Sequence, residues 1–242
     1  MDDAFVQAFT NSGLRRVLFV AHANAANAKG CSSGSPYPLD RADQTRQLTS
    51  KGVKAAEFSR KWFQALDYKH KAFVTSPARR VVETCQIMAE TRHGAGADVS
   101  MELMHSLHPC DLVPACHQLF SKLGEASLEA YYKEGGQAAL DEYADIVFEE
   151  LINLISTRVG PSTRGDTLSI FGHSVFLNAV CRRMASAFKM ESEHLSNLEA
   201  IKLGETEGLL VEQTDGTPLL RYLHCRALSA ISDHPLYSTL AG

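Results

Sequence analysis

Short apolar segments alternate with longer stretches of helical periodicity along most of this chain, and this alternation limits the fold more than any other feature. Four segments have the length and apolar content of buried strands, and helical patterns separate them. They are Arg16 to Ala21, Ala72 to Thr75, Val99 to Leu103 and Thr167 to Gly172. Apolar strands without strict alternation are typical of parallel sheets that helices cover on both faces. The pattern therefore predicts a three-layer α/β/α fold.

The stretches between these strands predict the helices of the outer layers. Thr49 is suited to cap the first of them. The apolar side of that helix is predicted to contain Ala55, Phe58, Trp62 and Ala65. Further helices are predicted over 79–91, between 112 and 132, over 137–158 and over 174–188.

The C-terminal third of the chain has a different sequence pattern, in which apolar segments are joined by glycine-containing turns such as Asp215-Gly216. These segments are Leu198 to Leu203, Gly208 to Glu212 and Leu219 to His224. They predict antiparallel strands, so the sheet is expected to be mixed, mainly parallel and antiparallel at one edge. With 242 residues, 45% of them hydrophobic, we expect one domain over 1–242, with 1–13 and 227–242 as peripheral extensions.

Composition argues against several classes of partner. The net charge of -4 and the dispersed basic residues offer no positive field for a nucleic-acid backbone, so no nucleic acid is expected. No apolar run approaches the roughly 20 residues of a membrane helix, and the start has no basic leader region. We expect a cytoplasmic or other intracellular protein that does not enter a membrane. Six dispersed cysteines without a C-x-x-C pair predict free thiols.

Polar residues follow three of the predicted strands. His22 follows the first strand, Arg79 and Arg80 follow the second, and His173 follows the fourth. The carboxyl ends of parallel strands meet at one edge of a sheet, so these side chains are expected to converge. Imidazole is a good nucleophile towards phosphorus, and a guanidinium matches phosphate oxygens with paired donors. The pattern favours phosphoryl transfer.

The order of the motifs resembles that of the histidine phosphatase superfamily, and is most similar to its small phosphohistidine phosphatase branch. The family pattern R-H-G is comparable to Ala21-His22-Ala23, and L-T-x-x-G is comparable to Leu48-Thr49-Ser50-Lys51-Gly52. The pattern S-P-x-x-R-x-x-x-T is comparable to Ser76-Pro77-Ala78-Arg79-Arg80 with Thr84. The pattern L-x-P is comparable to Leu107-His108-Pro109, and the late G-H is comparable to Gly172-His173. The match spans about Arg16 to Gln213. It implies a phosphoglycerate mutase-like fold.

The resemblance also implies roles for individual residues. His22 corresponds to the residue that is phosphorylated, Arg80 to the phosphate-binding arginine, and His173 to the histidine that stabilises the transition state. Arg79 is a further candidate for phosphate binding, and Glu102 is the candidate proton donor, with Asp111 as the alternative farther along the chain. No cofactor and no metal are implied. The expected ligand is a phosphorylated small molecule or a phosphoprotein.

The chain departs from the family pattern around the nucleophile. Ala21 replaces the arginine, Ala23 replaces the glycine, and Asn24 stands where an acid is common. Loss of one preorganised charged donor costs about 100-fold to 1,000-fold in rate. Asn24 keeps a donor for a phosphate oxygen but transfers no proton at neutral pH. The candidate replacement cations are Lys29, Arg41, Arg46 and Arg79. Two hypotheses follow, namely a phosphatase of reduced activity and a pseudophosphatase that binds a phosphorylated ligand or a protein partner.

Two other motifs offer alternatives to a phosphatase. Gly172-His173-Ser174-Val175-Phe176 is similar to the G-x-S-x-G elbow of α/β-hydrolases, in which Ser174 is the nucleophile, but Phe176 replaces the second glycine. The bases available to it are His194, His224 and His234. His105 and His108 with Asp111 lack the usual metal-ligand spacing, so we interpret them as part of a pocket wall. The substrate and the oligomeric state are not specified by the sequence.

Overall fold

The computed structural model describes residues 1–26, 41–90, 99–109, 112–159, 165–214 and 217–223. Six strands form one sheet, and they are β1 (Arg16–Ala21), β2 (His70–Thr75), β3 (Ser100–Leu103), β4 (Thr167–Gly172), β5 (Gly208–Thr214) and β6 (Thr217–Leu223). Their order is β3-β2-β4-β1-β5-β6. The strands β1 to β4 run parallel, whereas β5 pairs antiparallel with both β1 and β6. The predicted mixed sheet with an antiparallel edge is confirmed.

Helices cover both faces of the sheet. They are α1 (Asp2–Asn11), α2 (Arg41–Gln44), α3 (Ser50–Ala65), α4 (Arg79–Met88), α5 (Pro114–Leu123), α6 (Leu128–Lys133), α7 (Gln137–Thr157), α8 (Ser174–Ala187) and α9 (Ser192–Ala200), with a 3-10 turn at His105–Leu107. The helices α3 and α4 pack on one face, while α1, α7 and α8 pack on the other. The three-layer arrangement is therefore confirmed.

The central strand β1 shows why the sequence forms this sheet. Val17 and Phe19 contribute to the core under α7 and α8, whereas Leu18 and Val20 contribute to the core under α3 and α4. All four side chains are fully buried. Because both faces of the strand are covered, apolar residues occupy consecutive positions rather than alternating ones.

The N-terminal segment belongs to the core, so the expectation that residues 1–13 are peripheral was wrong. Phe5 and Phe9 are at most 2% exposed. The ring of Phe5 lies 4.5 Å from that of Phe148, and both N-terminal rings meet Phe188 edge-on. The two aromatic rings of α1 therefore pack against Phe148 of α7 and against Phe188, the residue that follows α8. Residues 227–242 lie outside the described residues.

The buried side of α3 differs from the predicted one. The buried residues of this helix are Gly52, Ala56, Ser59, Trp62 and Phe63. Of the predicted apolar side, Trp62 is buried, but Phe58 is 54% exposed. The first turn of the helix, at Gly52, lies very close to the chain after β1, as described below.

The strand predicted over Leu198 to Leu203 was wrong, because α9 extends to Ala200 and the chain then leaves the helix. Leu195, Leu198 and Ile201 recur at helical spacing and pack against the core. The end of the helix is tied to α8, since the side-chain amide of Asn178 donates to the carbonyl of Ile201 at 2.8 Å.

Cys85, Cys116 and Cys181 are buried free thiols, and burial raises the pKa of each. Within the described ranges, none of the helices has the length and apolar content needed to cross a membrane.

Candidate active site

Three strand ends come together at the carboxyl edge of the sheet, as the sequence predicted. The backbone amide of His22, after β1, donates to the carbonyl of Gly172 at 3.0 Å. The amide of Ser76, after β2, donates to the carbonyl of Phe171 at 3.1 Å. These bonds align the three chain segments, so that the rings of His22 and His173 lie 5.1 Å apart and edge to face.

His22 is held in one tautomer. Its Nδ1 lies 2.7 Å from the carbonyl oxygen of Ala23. Because a carbonyl only accepts, Nδ1 carries the hydrogen and Nε2 carries a lone pair. The Nε of Arg80 donates to that Nε2 at 3.2 Å. Burial and the charge of Arg80 lower the pKa of His22 to about 3, so the ring is neutral near neutral pH. A neutral imidazole with a directed lone pair is suited to nucleophilic attack.

The S-P-x-x-R-x-x-x-T motif fixes this turn from the side of α4. The amide of Ala23 donates to Oγ1 of Thr84 at 3.1 Å. The same hydroxyl donates to the carbonyl of Arg80 at 2.7 Å, one helical turn earlier. Thr84 therefore ties the chain after His22 to the helix that carries Arg80.

The L-T-x-x-G motif fixes the same turn from the side of α3. Thr49 caps the helix by accepting from the amide of Gly52 at 3.0 Å, and its hydroxyl donates to Oδ1 of Asn24 at 2.8 Å. A Cβ atom at position 52 would lie 2.0 Å from the carbonyl oxygen of Asn24. Glycine is required there because the backbones of the helix and the turn are in direct contact.

His173 lies beneath His22 and is only 4% exposed. Its Nδ1 accepts from Nη2 of Arg80 at 3.2 Å, so its Nε2 carries the hydrogen and donates to Oγ of Ser76 at 3.1 Å. Burial and the charge of Arg80 lower the pKa of His173 well below its ordinary value. The two histidines are thus both neutral, and both contact one guanidinium.

Arg80 is the centre of the site and is 3% exposed. In addition to the two histidines, it contacts Asp43, donating from Nη1 to the backbone carbonyl at 2.7 Å and from Nη2 to Oδ2 at 2.6 Å. Four of its five N–H groups are therefore engaged.

Asp43 is a functional candidate that the sequence did not reveal. It is fully buried, and its Oδ1 accepts from Nη1 of Arg46 at 2.7 Å while Oδ2 also accepts from Nε2 of His108 at 3.0 Å. Burial raises its pKa, but the bond from His108 and the charges of Arg80 and Arg46 outweigh burial and lower the pKa below its ordinary value. The carboxylate is ionised. Its only sequence signal was an acid three residues before an arginine in a polar stretch.

His108 joins the two histidines and Arg80 as a third imidazole. The ring is 2% exposed and lies 5.3 Å from that of His173. Its Nε2 contacts Asp43, while its Nδ1 is buried and without a hydrogen-bond partner among the described residues. Asp111 lies outside the described residues.

Two predicted site residues face elsewhere. The side chain of Arg79 is 54% exposed and its Nε donates to Glu83 one turn along the helix at 2.9 Å. Glu102, in β3, forms an ion pair with Arg158 at the end of α7. Neither contact involves the histidine cluster, so the geometry does not favour these two residues as members of the site.

Asn24 lies beside the site, but its amide is oriented by other groups. Its Nδ2 donates to Oε1 of Glu205 at 2.7 Å, and its oxygen accepts from Thr49. Asn24 thus holds a carboxylate near the position where the family has an acid of its own. Burial and the charge of Glu205 raise the pKa of Glu125, although Lys202 and Arg80 act in the opposite direction. Neither glutamate was identified from the sequence.

Of the candidate replacement cations, Arg46 is the one that the described structure brings to the cluster. Its charge acts to lower the pKa of both His22 and His173. Lys29 lies outside the described residues, as does the side chain of Arg41.

The hydrolase alternative is not supported by the backbone at Ser174. A nucleophile elbow places its serine on a strained turn between strand and helix. Ser174 instead is the first residue of α8, and it is not among the described residues with positive φ. Phe176 is fully buried, so it packs in the core where the elbow needs a small residue.

Comparisons with known proteins agree with this architecture. No protein-family model matches the chain, and no curated protein matches it either. Among solved structures, α-ribazole phosphatase from Shigella flexneri superposes with a TM-score of 0.51 at 11% identity, covering 86% of this chain and 95% of that chain. A candidate phosphohistidine phosphatase, SixA, from Agrobacterium tumefaciens superposes with a TM-score of 0.50 at 15% identity, covering 87% and 96%. The open reading frame Rv3214 of Mycobacterium tuberculosis gives 0.50 at 14%, covering 86% and 96%.

The sheet order and these superpositions define a phosphoglycerate mutase-like α/β protein. The chain shares the fold of the two solved phosphatases named above.

Proposed function

We propose that the protein binds a phosphorylated ligand between His22, Arg80 and His173 and hydrolyses a phosphomonoester or phosphoramidate through a phosphohistidine at His22. The observation that carries this proposal is the fixed tautomer of His22, whose Nε2 lone pair is directed at the guanidinium of Arg80. A phosphoryl group held by that guanidinium lies in the path of the lone pair. The reaction needs no metal in this scheme.

In the first step, the lone pair on Nε2 of His22 forms an N–P bond as the bond from phosphorus to the leaving group breaks. The leaving oxygen or nitrogen takes that electron pair and a proton. We assign the proton to Glu125 rather than to Glu102, because Glu125 interacts electrostatically with Arg80 and Arg46 and its pKa is raised. Glu102 is committed to its ion pair with Arg158.

In the second step, a water oxygen forms a bond to phosphorus and the N–P bond breaks, returning the electron pair to Nε2 of His22. The water gives its proton to the carboxylate left by the first step. His173 is neutral and adds no positive charge to the site, so Arg80 supplies the main stabilisation of the phosphoryl oxygens in both steps.

The ligand class follows the same chemistry. The structural neighbours are named for phosphohistidine and α-ribazole phosphatase activities. A phosphorylated small molecule and a phosphoprotein are therefore both candidates for this chain, and phosphoramidates and phosphomonoesters are the classes to test.

The test is turnover of p-nitrophenyl phosphate together with trapping of the phosphoenzyme. We expect a label that survives base and is lost in acid, as an N–P bond requires, and we expect His22→Ala to abolish it. His105→Ala, which changes an exposed histidine, is the matched control and should keep both label and turnover. Turnover that survives His22→Ala would contradict the mechanism, and loss upon Ser174→Ala alone would revive the hydrolase hypothesis.

A pseudophosphatase is the second candidate, and a specific observation favours it. Ala21 removes one cation, and the guanidinium of Arg80 is already engaged by Asp43. A protein of this kind binds phosphate without turning over substrate. Calorimetric binding of inorganic phosphate to a chain that forms no phosphohistidine over a broad pH range would select this candidate.

A further inference from the structure

The cation missing at position 21 must be replaced if the proposed phosphoryl chemistry is to be efficient. Ala21 is 3% exposed and its side chain belongs to the core that includes Val17 and Phe19. The inference that follows rests on the proposed function, and its experiment separates the two.

Arg46 has the position that such a replacement needs. Its Nε donates to the carbonyl of Ala26 at 2.6 Å, which anchors it to the chain four residues after His22. Its Nη1 donates to Oδ1 of Asp43 at 2.7 Å. The side chain is 20% exposed, so the guanidinium lies at the rim of the cluster rather than in bulk solvent.

Asp43 connects this arginine to the centre of the site. One carboxylate accepts from Arg46 at Oδ1 and from Arg80 and His108 at Oδ2. Two guanidinium groups and an imidazole therefore converge on a single buried anion. Those donors are also the ones that bind a phosphoryl group, because phosphate oxygens and carboxylate oxygens take the same charge-assisted bonds.

The direct contact between His22 and Arg80 leaves no space for a phosphoryl group between nucleophile and guanidinium. Nε of Arg80 lies 3.2 Å from Nε2 of His22, which is a direct contact. A reacting phosphorus needs about 3 to 3.5 Å to the nucleophile alone, and its oxygens need a further hydrogen-bond length to the donor. Arg80 must move away from His22 when a ligand enters. Because partners within the described residues already engage four of the five N–H groups of Arg80, it can bind two phosphoryl oxygens only by releasing one of these partners.

We propose that Arg46 is the second phosphate-binding cation of this site, and that the carboxylate of Asp43 is an internal stand-in that the phosphoryl group replaces. Arg46 and Arg80 then bind different oxygens of one phosphoryl group from two sides. Asp43 keeps both guanidinium groups in the pocket before the ligand arrives and competes with the ligand for them.

The experiment measures the dissociation constant of inorganic phosphate by calorimetry, and kcat and KM for p-nitrophenyl phosphate. Arg46→Ala should weaken phosphate about 10-fold to 100-fold and lower kcat/KM at least as much, because one charge-assisted bond is lost. Arg46→Lys should recover part of the binding. Arg60→Ala is the matched control, since it changes a surface arginine paired with Glu90 and should have no effect.

Asp43→Asn tests the second part of the proposal. If the carboxylate competes with the ligand, this variant should bind phosphate more tightly than the wild type. If the carboxylate is only a scaffold, it should bind phosphate more weakly, and that result overturns the stand-in role. Should the variant be unfolded in buffer, refolding upon addition of phosphate, but not of an equal ionic strength of chloride, supports replacement of the lost anion. Failure to refold with phosphate counts against it.

The outcomes distinguish this inference from the proposed function. Phosphate binding that depends on Arg80 but is unchanged in Arg46→Ala overturns the role of Arg46 and leaves the proposed function standing. A wild-type chain that binds no phosphate and forms no phosphohistidine overturns both.

Discussion

His22 is kept in a single protonation state by two contacts of opposite kind, a carbonyl that accepts from Nδ1 and a guanidinium that faces Nε2. We expect the ring to remain neutral, with hydrogen on Nδ1, from neutral pH down to about pH 4, because its pKa is lowered to about 3. Nitrogen-15 NMR of the imidazole measures both tautomer and titration. A His22 midpoint near 6.5 in the folded protein would refute this arrangement.

Glu125 gives a prediction that depends on the leaving group. An alkyl phosphate needs a proton on its departing oxygen, whereas p-nitrophenolate leaves readily without one. Glu125→Gln should therefore reduce kcat for an alkyl phosphate by about 100-fold or more and kcat for p-nitrophenyl phosphate by much less. The control is Glu129→Gln, an exposed glutamate on α6. Equal losses on both substrates would remove Glu125 from the role of proton donor.

At the scale of single residues, the sequence predicted the groups that follow strands and missed those that arrive from elsewhere. His22, His173 and Arg80 were found because a strand end fixes their position. Asp43 was missed, since nothing in a polar stretch distinguishes a buried acid from a solvated one. Glu205 contacts Asn24 across 181 residues of sequence, and no local pattern reports such a contact.

At the scale of elements, the first turn of α3 is the support of the site. Gly52→Ala should cost about 3 kcal/mol or more, because a new Cβ would lie 2.0 Å from one backbone atom of Asn24 and 2.9 Å from another. Neither atom moves without shifting the turn that carries His22, so activity should fall with stability. Urea unfolding gives the free energy of unfolding. Lys51→Ala, at the exposed neighbouring position, should change it by less than about 0.5 kcal/mol.

The close approach at Gly52 also explains why the buried side of α3 was harder to predict than the bounds of the strands. The bounds of β1 and β4 were predicted to the residue, because strands buried on both faces are continuous apolar runs. The buried side of α3 was not, because it is chosen by the close approach at Gly52 rather than by hydrophobicity. Helix α9 was mistaken for a strand because three apolar residues lie near its end, where helical spacing has too few turns to show itself.

At the scale of the molecule, the site depends on both neighbours of β1 in the sheet. The central strand β1 is flanked by β4, which supplies His173, and by β5, whose preceding loop supplies Glu205. The amide of Thr206 donates to the carbonyl of Ala21 at 3.1 Å, so this loop is joined to the residue before the nucleophile. The basic residues at the centre of the site and the acidic residues beside it therefore belong to one folded unit, and their charges affect the stability of that unit.

Three histidines with lowered pKa values make that stability depend on pH. Burial lowers the pKa of His22 to about 3 and the pKa of His70 to about 4. It also lowers the pKa of His173 well below its ordinary value of 6.5. The unfolded chain binds protons at these positions near pH 6.5, whereas the folded chain does not, so acid favours unfolding. The free energy of unfolding should have its full value above pH 6.5 and should fall as the pH is lowered towards 4. The slope should reach about 4 kcal/mol per pH unit when all three histidines contribute.

Urea unfolding at a series of pH values tests this expectation, and His70 allows the histidines to be separated. His70 stacks on Phe63 and contacts Ser169, outside the candidate site. His70→Gln should therefore reduce the pH slope by about one third, because one of the three titrating groups is gone, while leaving phosphate binding intact. Asp43 extends the loss of stability below pH 4. Its pKa is lowered in the folded state, so the folded state takes up a proton at this carboxylate less readily than the unfolded chain does. A stability that is constant between pH 6.5 and 4 would mean that the three imidazoles take up protons in the folded state as they do in the unfolded chain, which contradicts their lowered pKa values.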